Sequence, residues 1–163
     1  MSKQLKPNDF WQTPEYILDA INMMWPNGWF DPCPINPSFD GLKIDISYQR
    51  GIPKYFNPPF SQYLDWVKYW EGDNSEQIWI MDHDHSTQRM QQLLIESLPL
   101  YSPPKWFSYC LLYERVAFID PETGKPKKGQ MRCQTLIYKG SNSNGFAKNF
   151  KHLGLILNAW EDV

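Results

Sequence analysis

The sequence has no apolar run long enough to cross a bilayer and no basic-then-apolar start of the kind that directs secretion. The expectation is a cytoplasmic protein with no membrane partner. Cysteines are few, and the three present, Cys33, Cys110 and Cys133, are widely spaced with no Cys-x-x-Cys pair. That argues against a zinc site or a disulfide framework and for reduced thiols. Net charge is small as well, −2 with a pI of about 5.9, so the surface as a whole cannot clamp a polyanion. Any grip on nucleic acid must be local. There is no internal repeat, and no glycine-rich turn follows the first apolar segment, which removes the general dinucleotide-binding fingerprint.

What remains is a chain of 163 residues, the size of one domain, with an aromatic content of 16% and eight tryptophans. Most of those rings are core; some can stack on bases. The segment that invites chemistry is Asn57-Pro58-Pro59-Phe60. Two prolines fix φ and remove two backbone donors, so neighbouring carbonyls and the Asn57 amide are kept out of a helix or a central ladder. An amide oxygen beside a backbone carbonyl is a pair of acceptors suited to an exocyclic –NH2, and Phe60 offers a face to a flat heterocycle. A Pro-Pro turn that simply ends a strand would read the same, so the context must decide.

That context alternates strand and helix. Residues 1–9 read as a loose tail, and a helix is expected over 14–24, with Thr13 as N-cap and Pro14 in the first helical position. Residues 28–30 read as a short strand that leads into Asp31, an acidic group suited to a cationic or hydroxyl-bearing ligand. Asp40-Gly41 is a turn, and 43–47 alternate like a half-buried strand. Ser61 is placed to cap a helix with an apolar stripe of Tyr63, Leu64, Trp66, Val67 and Trp70, and 77–81 read as a buried strand parallel to the one before Asn57. This is the βαβ pattern of a doubly wound sheet.

Asp82-His83-Asp84-His85 reads as a polar loop capping a helix over 87–98 and not as a metal site, because adjacent loop residues rarely converge on one ion and only His152 remains elsewhere. Residues 114–119 and 134–138 read as antiparallel strands. The loop between them carries four cations, Lys125, Lys127, Lys128 and Arg132, within eight residues. It is either a solvated hairpin tip or the best local phosphate grip on the chain. The Gly/Ser/Asn stretch over 139–149 has no assigned role.

Taken in order, Trp11-x-Thr13-Pro14, Asp31-Pro32-Cys33, Asp40-Gly41-Leu42, Asn57-Pro58-Pro59-Phe60 and Arg115-x-x-Phe118 resemble the motif set of the phage-type DNA N6-adenine methyltransferases, over residues 10 to about 141. The resemblance implies a single compact α/β domain, with a Rossmann-like, mostly parallel sheet and an antiparallel C-terminal hairpin. It implies methyl transfer from S-adenosylmethionine to the N6 amine of adenine in DNA, in the host cytoplasm if the chain is phage-encoded. Trp11, Thr13 and Pro14 would close over the methionine end of the cofactor, Asp31, Pro32 and Cys33 would line its site, and Asp40 would meet its adenine or ribose. Asn57 and the Pro58 carbonyl would accept the target amine hydrogens while Phe60 stacks on a base swung out of the duplex. Arg115, Lys125, Lys127, Lys128 and Arg132 would contact DNA. The family carries Pro-Ala-Asp where this chain has its two histidines. Cytosine N4 methylation, glutamine-amide methylation and DNA binding without catalysis are the competing readings, the second disfavoured by the basic loop.

Neutralising Lys125, Lys127 and Lys128 together is expected to weaken binding to every DNA sequence alike. The salt slope should fall by about 1 for each phosphate that a lysine no longer neutralises, as measured by titration at several salt concentrations.

Overall fold

The computed structural model describes residues 9, 11–95, 107–127 and 132–158. Lys128, and residues 96–98 of the helix expected over 87–98, lie outside these. Among the described residues four α-helices, α1 (Glu15–Met24), α2 (Tyr63–Tyr69), α3 (Gln88–Ile95) and α4 (Ser143–Phe150), surround five strands, β1 (Lys54–Phe56), β2 (Gln77–Asp82), β3 (Phe107–Leu112), β4 (Gln134–Lys139) and β5 (Gly154–Asn158). The strands form one mixed sheet in the order β1-β2-β4-β3-β5. Among the described residues no helix is long and apolar enough to cross a membrane.

The β1-α2-β2 unit forms as the pattern implies. β1 lies parallel to β2, with Lys54 opposite Gln77 and Phe56 opposite Trp79. Parallel strands need a crossover, and α2 supplies it. The other pairings, β2 with β4, β4 with β3 and β3 with β5, are all antiparallel, so the expected mostly parallel sheet is corrected to a mixed one. An apolar run signals burial but not direction, which is why the sequence left this open to error.

Alternation along the strands divides the core. Tyr55, Ile78, Ile80, Leu136 and Tyr138 face one side with Ile17, Ile21, Phe146 and Phe150 of α1 and α4. Phe56, Trp79, Met81 and Ile137 face the other with Trp66, Val67, Met90 and Leu93 of α2 and α3. The sheet is thus covered on both faces, the architecture expected when strands carry apolar residues in succession. Lys54, at the start of β1, is fully buried. Its ammonium is 3.0 Å from the equally buried Asp73 carboxylate and donates to the Gln49 and Ile52 carbonyls and the Ser75 hydroxyl.

Several local expectations are corrected. Pro14, not Thr13, is the N-cap of α1, because the Thr13 hydroxyl shares a 2.8 Å hydrogen bond with Tyr55 instead. Residues 28–30 contribute only a single parallel bridge, Phe30 with Lys54. Residues 43–47 are no strand: Asp45 accepts from the Ser47 backbone and hydroxyl and starts a 3-10 helix at Ile46–Gln49, a local alternative that competes with a ladder. Ser61 does not cap α2. It lies in a 3-10 turn, Phe60–Gln62, and is held by Asp9.

The hairpin of 114–119 with 134–138 does not form either, since β4 takes β3 as its partner. The alternation in 114–119 is real as burial, with Val116 and Phe118 inside and Ala117 outside. Its hydrogen bonds go elsewhere: Ile119 exchanges bonds of 2.9 and 3.0 Å with Gln12 of the N-terminal arm. The unassigned stretch over 139–149 holds α4, capped by Asn142, whose side chain accepts from Gly145 N at 3.0 Å.

Gly41 fixes the loop after Phe30 onto α2. A Cβ there would lie 1.9 Å from the Pro32 carbonyl oxygen and 2.5 Å from Trp66 Cη2, and its own carbonyl accepts from Trp70 Nε1 at 3.2 Å. Gly41→Ala is expected to destabilise the fold by about 1–3 kcal/mol, the usual cost of overpacking, read from urea denaturation.

Candidate functional site

Parallel pairing of β1 and β2 brings the residues after both strands to one edge of the sheet, where ligands of open α/β sheets bind. There the chain forms a cleft of about 330 Å³, within the range of small-molecule sites of roughly 300–1,000 Å³. Asn57 and Pro58 line it. Asn57 Nδ2 donates to the Trp11 carbonyl at 2.8 Å and to Thr13 Oγ1 at 3.2 Å. Both amide hydrogens are thereby used, and Oδ1 remains as the acceptor of that group. Among the described residues neither Asn57 Oδ1 nor the Pro58 carbonyl accepts a hydrogen bond.

Two walls rise from this floor. On one, Phe60 is 45% exposed and lies 4.4 Å from the Arg89 guanidinium and 5.1 Å from that of Arg132. Asp82 Oδ2 receives Arg89 at 3.2 Å and Arg132 at 2.7 Å, while Oδ1 receives Gln134 Nε2 at 2.6 Å. On the other wall Trp11 stands edge-on to Phe118 at 6.2 Å, and the Lys127 ammonium sits 3.4 Å above the Trp11 ring. Each wall thus pairs aromatic rings with cations. Among the described residues the charged lining counts three cations, Lys127, Arg89 and Arg132, against two carboxylates, Asp9 and Asp82, in a chain of net charge −2.

The residues expected from sequence divide by position. Trp11, Asn57, Pro58, Phe60, Lys127 and Arg132 meet in the cleft. Thr13 is one hydrogen bond behind it, and Pro14 begins α1. Asp31, Pro32 and Cys33 lie behind Asn57, whose backbone N–H is hydrogen-bonded to the Cys33 sulfur. Asp31 is half-buried and accepts from Cys33 N at 2.9 Å. Burial raises its pKa, and burial together with the Asp31 charge pushes the Cys33 thiol well above its usual range. Asp40 is exposed and pairs with Lys43 at 3.1 Å, a neighbour that holds its carboxyl below the ordinary value. Arg115 and Lys125 are exposed and do not line the cleft.

Sequence reasoning missed Asp9, Arg89, Gln134 and the part played by Asp82. Asp9 belongs to a segment read as a loose tail, yet it is buried and accepts from Ser61 N at 2.9 Å and Ser61 Oγ at 2.7 Å. Arg89 sits among polar residues in the first turn of α3, where a charged residue reads as solvated. Only the parallel register shows that this turn overlooks Phe60. The two histidines, His83 and His85, are exposed, and among the described residues no group of three or more His, Cys, Asp or Glu is placed to hold a metal.

Comparison with protein-family models, curated proteins and solved structures finds no match to this chain. The reading of the site therefore stands on its residues.

Because burial raises the folded-state pKa of Asp31 above its ordinary 3.8, the folded protein binds that proton more tightly than the unfolded chain does. Stability contributed by this group falls as pH rises from the ordinary value through the raised one, and the full cost is present above both. Asp31→Asn, which keeps the acceptor for Cys33, is expected to raise Tm at neutral pH. The gain should vanish as pH falls below 3.8 in melts recorded across that range.

Proposed function

We propose that this protein transfers a methyl group from S-adenosylmethionine to the N6 amine of adenine in DNA. The observation that carries the reading is the Asn57 amide: both its hydrogens are held by Trp11 and Thr13, which leaves its oxygen, beside the Pro58 carbonyl, as the open acceptor of the cleft. Two acceptors side by side take the two hydrogens of a planar –NH2 and draw its lone pair out of conjugation, toward an electrophile. Phe60 supplies the stacking face for the base, and the cationic rims suit the backbone of a nucleic acid. The target must leave the duplex to reach them. The amine needs no separate base beforehand, because it becomes acidic only as it is alkylated.

Of the residues that the resemblance implies for the cofactor, Trp11 lines the cleft, while Asp31 and Cys33 stand behind it, joined to it through Asn57. Asp31 is a half-buried carboxylate joined to Asn57 through Cys33, and Trp11 is an aromatic ring on the cleft wall; these are the groups that would hold the cofactor. When bound, S-adenosylmethionine supplies the electrophilic methyl. The protein's own part is positioning: it sets the amine in line.

A second reading, DNA binding without catalysis, draws on Asp40, which faces Lys43 in solvent and not a pocket. Tritium transfer from labelled S-adenosylmethionine to unmethylated DNA, followed by nucleoside analysis, separates these readings and distinguishes adenine N6 from cytosine N4.

In that assay Asn57→Ala is expected to abolish transfer while costing stability about 0.5–1.5 kcal/mol for each of its two hydrogen bonds. Phe60→Ala is expected to weaken use of the target by about 1–3 kcal/mol, the worth of a base stacked on an aromatic ring. Wild-type rates in Asn57→Ala would overturn the assignment.

A further inference from the structure

We infer that Arg89 and Arg132 form a phosphate-binding site at the rim of the cleft, which holds the phosphodiester next to the base stacked on Phe60, with Asp82 as the residue that positions both arginines. The inference rests on the nucleic-acid part of the reading above and not on methyl transfer.

Both guanidiniums converge on a single carboxylate oxygen, Asp82 Oδ2, Arg89 through Nη2 at 3.2 Å and Arg132 through Nη1 at 2.7 Å. The second oxygen is taken by Gln134 Nε2 at 2.6 Å, so the carboxylate cannot turn to meet either arginine in the two-pronged manner that guanidinium favours. Two cations share one anion, and the group keeps an uncompensated positive charge. Each guanidinium carries five N–H donors, and among the described residues Asp82 is the sole hydrogen-bond acceptor for either. A tight cluster with surplus charge and solvent-facing surplus donors is suited to take up an anion.

The position identifies that anion. Both guanidiniums lie against the Phe60 ring, at 4.4 and 5.1 Å from its centre, and both arginines line the same cleft as Asn57 Oδ1. A base stacked on Phe60 with its amine toward Asn57 carries its phosphate outward, to the rim where the arginines stand. A phosphodiester brings one negative charge and two free oxygens, which matches the missing charge and the spare donors of the pair. The arginine side chains are 17% and 62% exposed, so Arg89 forms the inner and Arg132 the outer side of the site. Asp82 keeps two like charges together in the free protein, which lowers the reorganisation needed when the phosphate arrives.

The test is binding of a short single-stranded adenine-containing oligodeoxynucleotide, followed by fluorescence anisotropy across a range of salt concentrations with no cofactor present. Arg89→Gln and Arg132→Gln are each expected to weaken binding and to lower the salt slope by about 0.7, the single-strand value for one neutralised phosphate, with thermal melts that remain cooperative. Asp82→Asn is expected to weaken binding with the slope unchanged, because the cations remain but are no longer held together. Deoxyadenosine monophosphate serves as the second ligand. The same arginine dependence there would assign the site to any nucleotide phosphate, and dependence with the oligonucleotide alone would assign it to the internucleotide link. Unchanged slopes in both arginine variants overturn the inference, as does reduced affinity with the wild-type slope, which would make the arginines packing for Phe60. Should Arg89→Gln fail to fold, the largely exposed Arg132 carries the test by itself. Methyl transfer does not enter these measurements, so their failure and the failure of the enzymatic reading are distinguishable.

Discussion

One amide ties the molecule together. The bonds from Asn57 Nδ2 to Trp11 and Thr13 draw the N-terminal arm against the end of β1, and the rest of one cleft wall hangs from that arm. Gln12, between those two residues, bridges to Ile119, which fixes the segment carrying Phe118. Lys127 in turn donates its backbone N–H to the Phe118 carbonyl at 2.8 Å and lays its ammonium over Trp11, the residue where the path began. The path is closed, and the Thr13 bond to Tyr55 ties the same arm to β1 a second time, so Asn57 is one of two side-chain anchors between arm and strand. The two Asn57 bonds also aim the amide oxygen, so one interaction both helps to build the wall and exposes the acceptor the wall surrounds.

β1 is only three residues long, and its two ends do opposite things. At its start Lys54 and Asp73 form an ion pair with both side chains 0% exposed. Removal of one partner from such a pair leaves a buried charge, at a cost of about 3–5 kcal/mol. At its far end the chain turns to two prolines and, among the described residues, leaves the Asn57 and Pro58 oxygens without a donor. Rigid anchoring at one end is what lets the other hold polar groups toward an open cleft without the strand fraying. The half-buried Asp31, kept behind Asn57 although burial disfavours its charge, fits the same division between elements that stabilise and elements that are held at a cost.

Much of this was legible in the sequence, and what was not had physical causes. Periodicity identified α1, α2 and the parallel β1-α2-β2 unit, because their apolar residues recur at the spacing of one element only. The Asn57 motif was legible because proline chemistry is local. The partner of β4 was not, since the alternation of 114–119 reads as a strand while the apolar run Phe107–Leu112, left unassigned in sequence, is the one that pairs, and only the tertiary fold chooses between them. Asp45 and Ser61 were misread because a carboxylate accepts a backbone N–H in place of the expected ladder or cap, Asp45 from Ser47 two residues on and Asp9 from the distant Ser61. Arg89 carried no signal and Asp82 only that of a polar loop, because their meaning comes from the Phe60 ring, which lies more than twenty residues away in sequence.

The contacts that make the cleft are nearly all between distant parts of the chain: 46 residues from Trp11 to Asn57, 42 from Thr13 to Tyr55, 50 from Asp82 to Arg132 and 52 from Asp82 to Gln134. Loop closure on that scale is slow compared with the formation of a helix or a neighbouring strand pair. The cleft is therefore expected to assemble only once segments far apart in sequence have docked. A nascent chain released only as far as β2 has Asn57 and Asp82 but neither the cationic loop nor β4, and so it has the motif without the site.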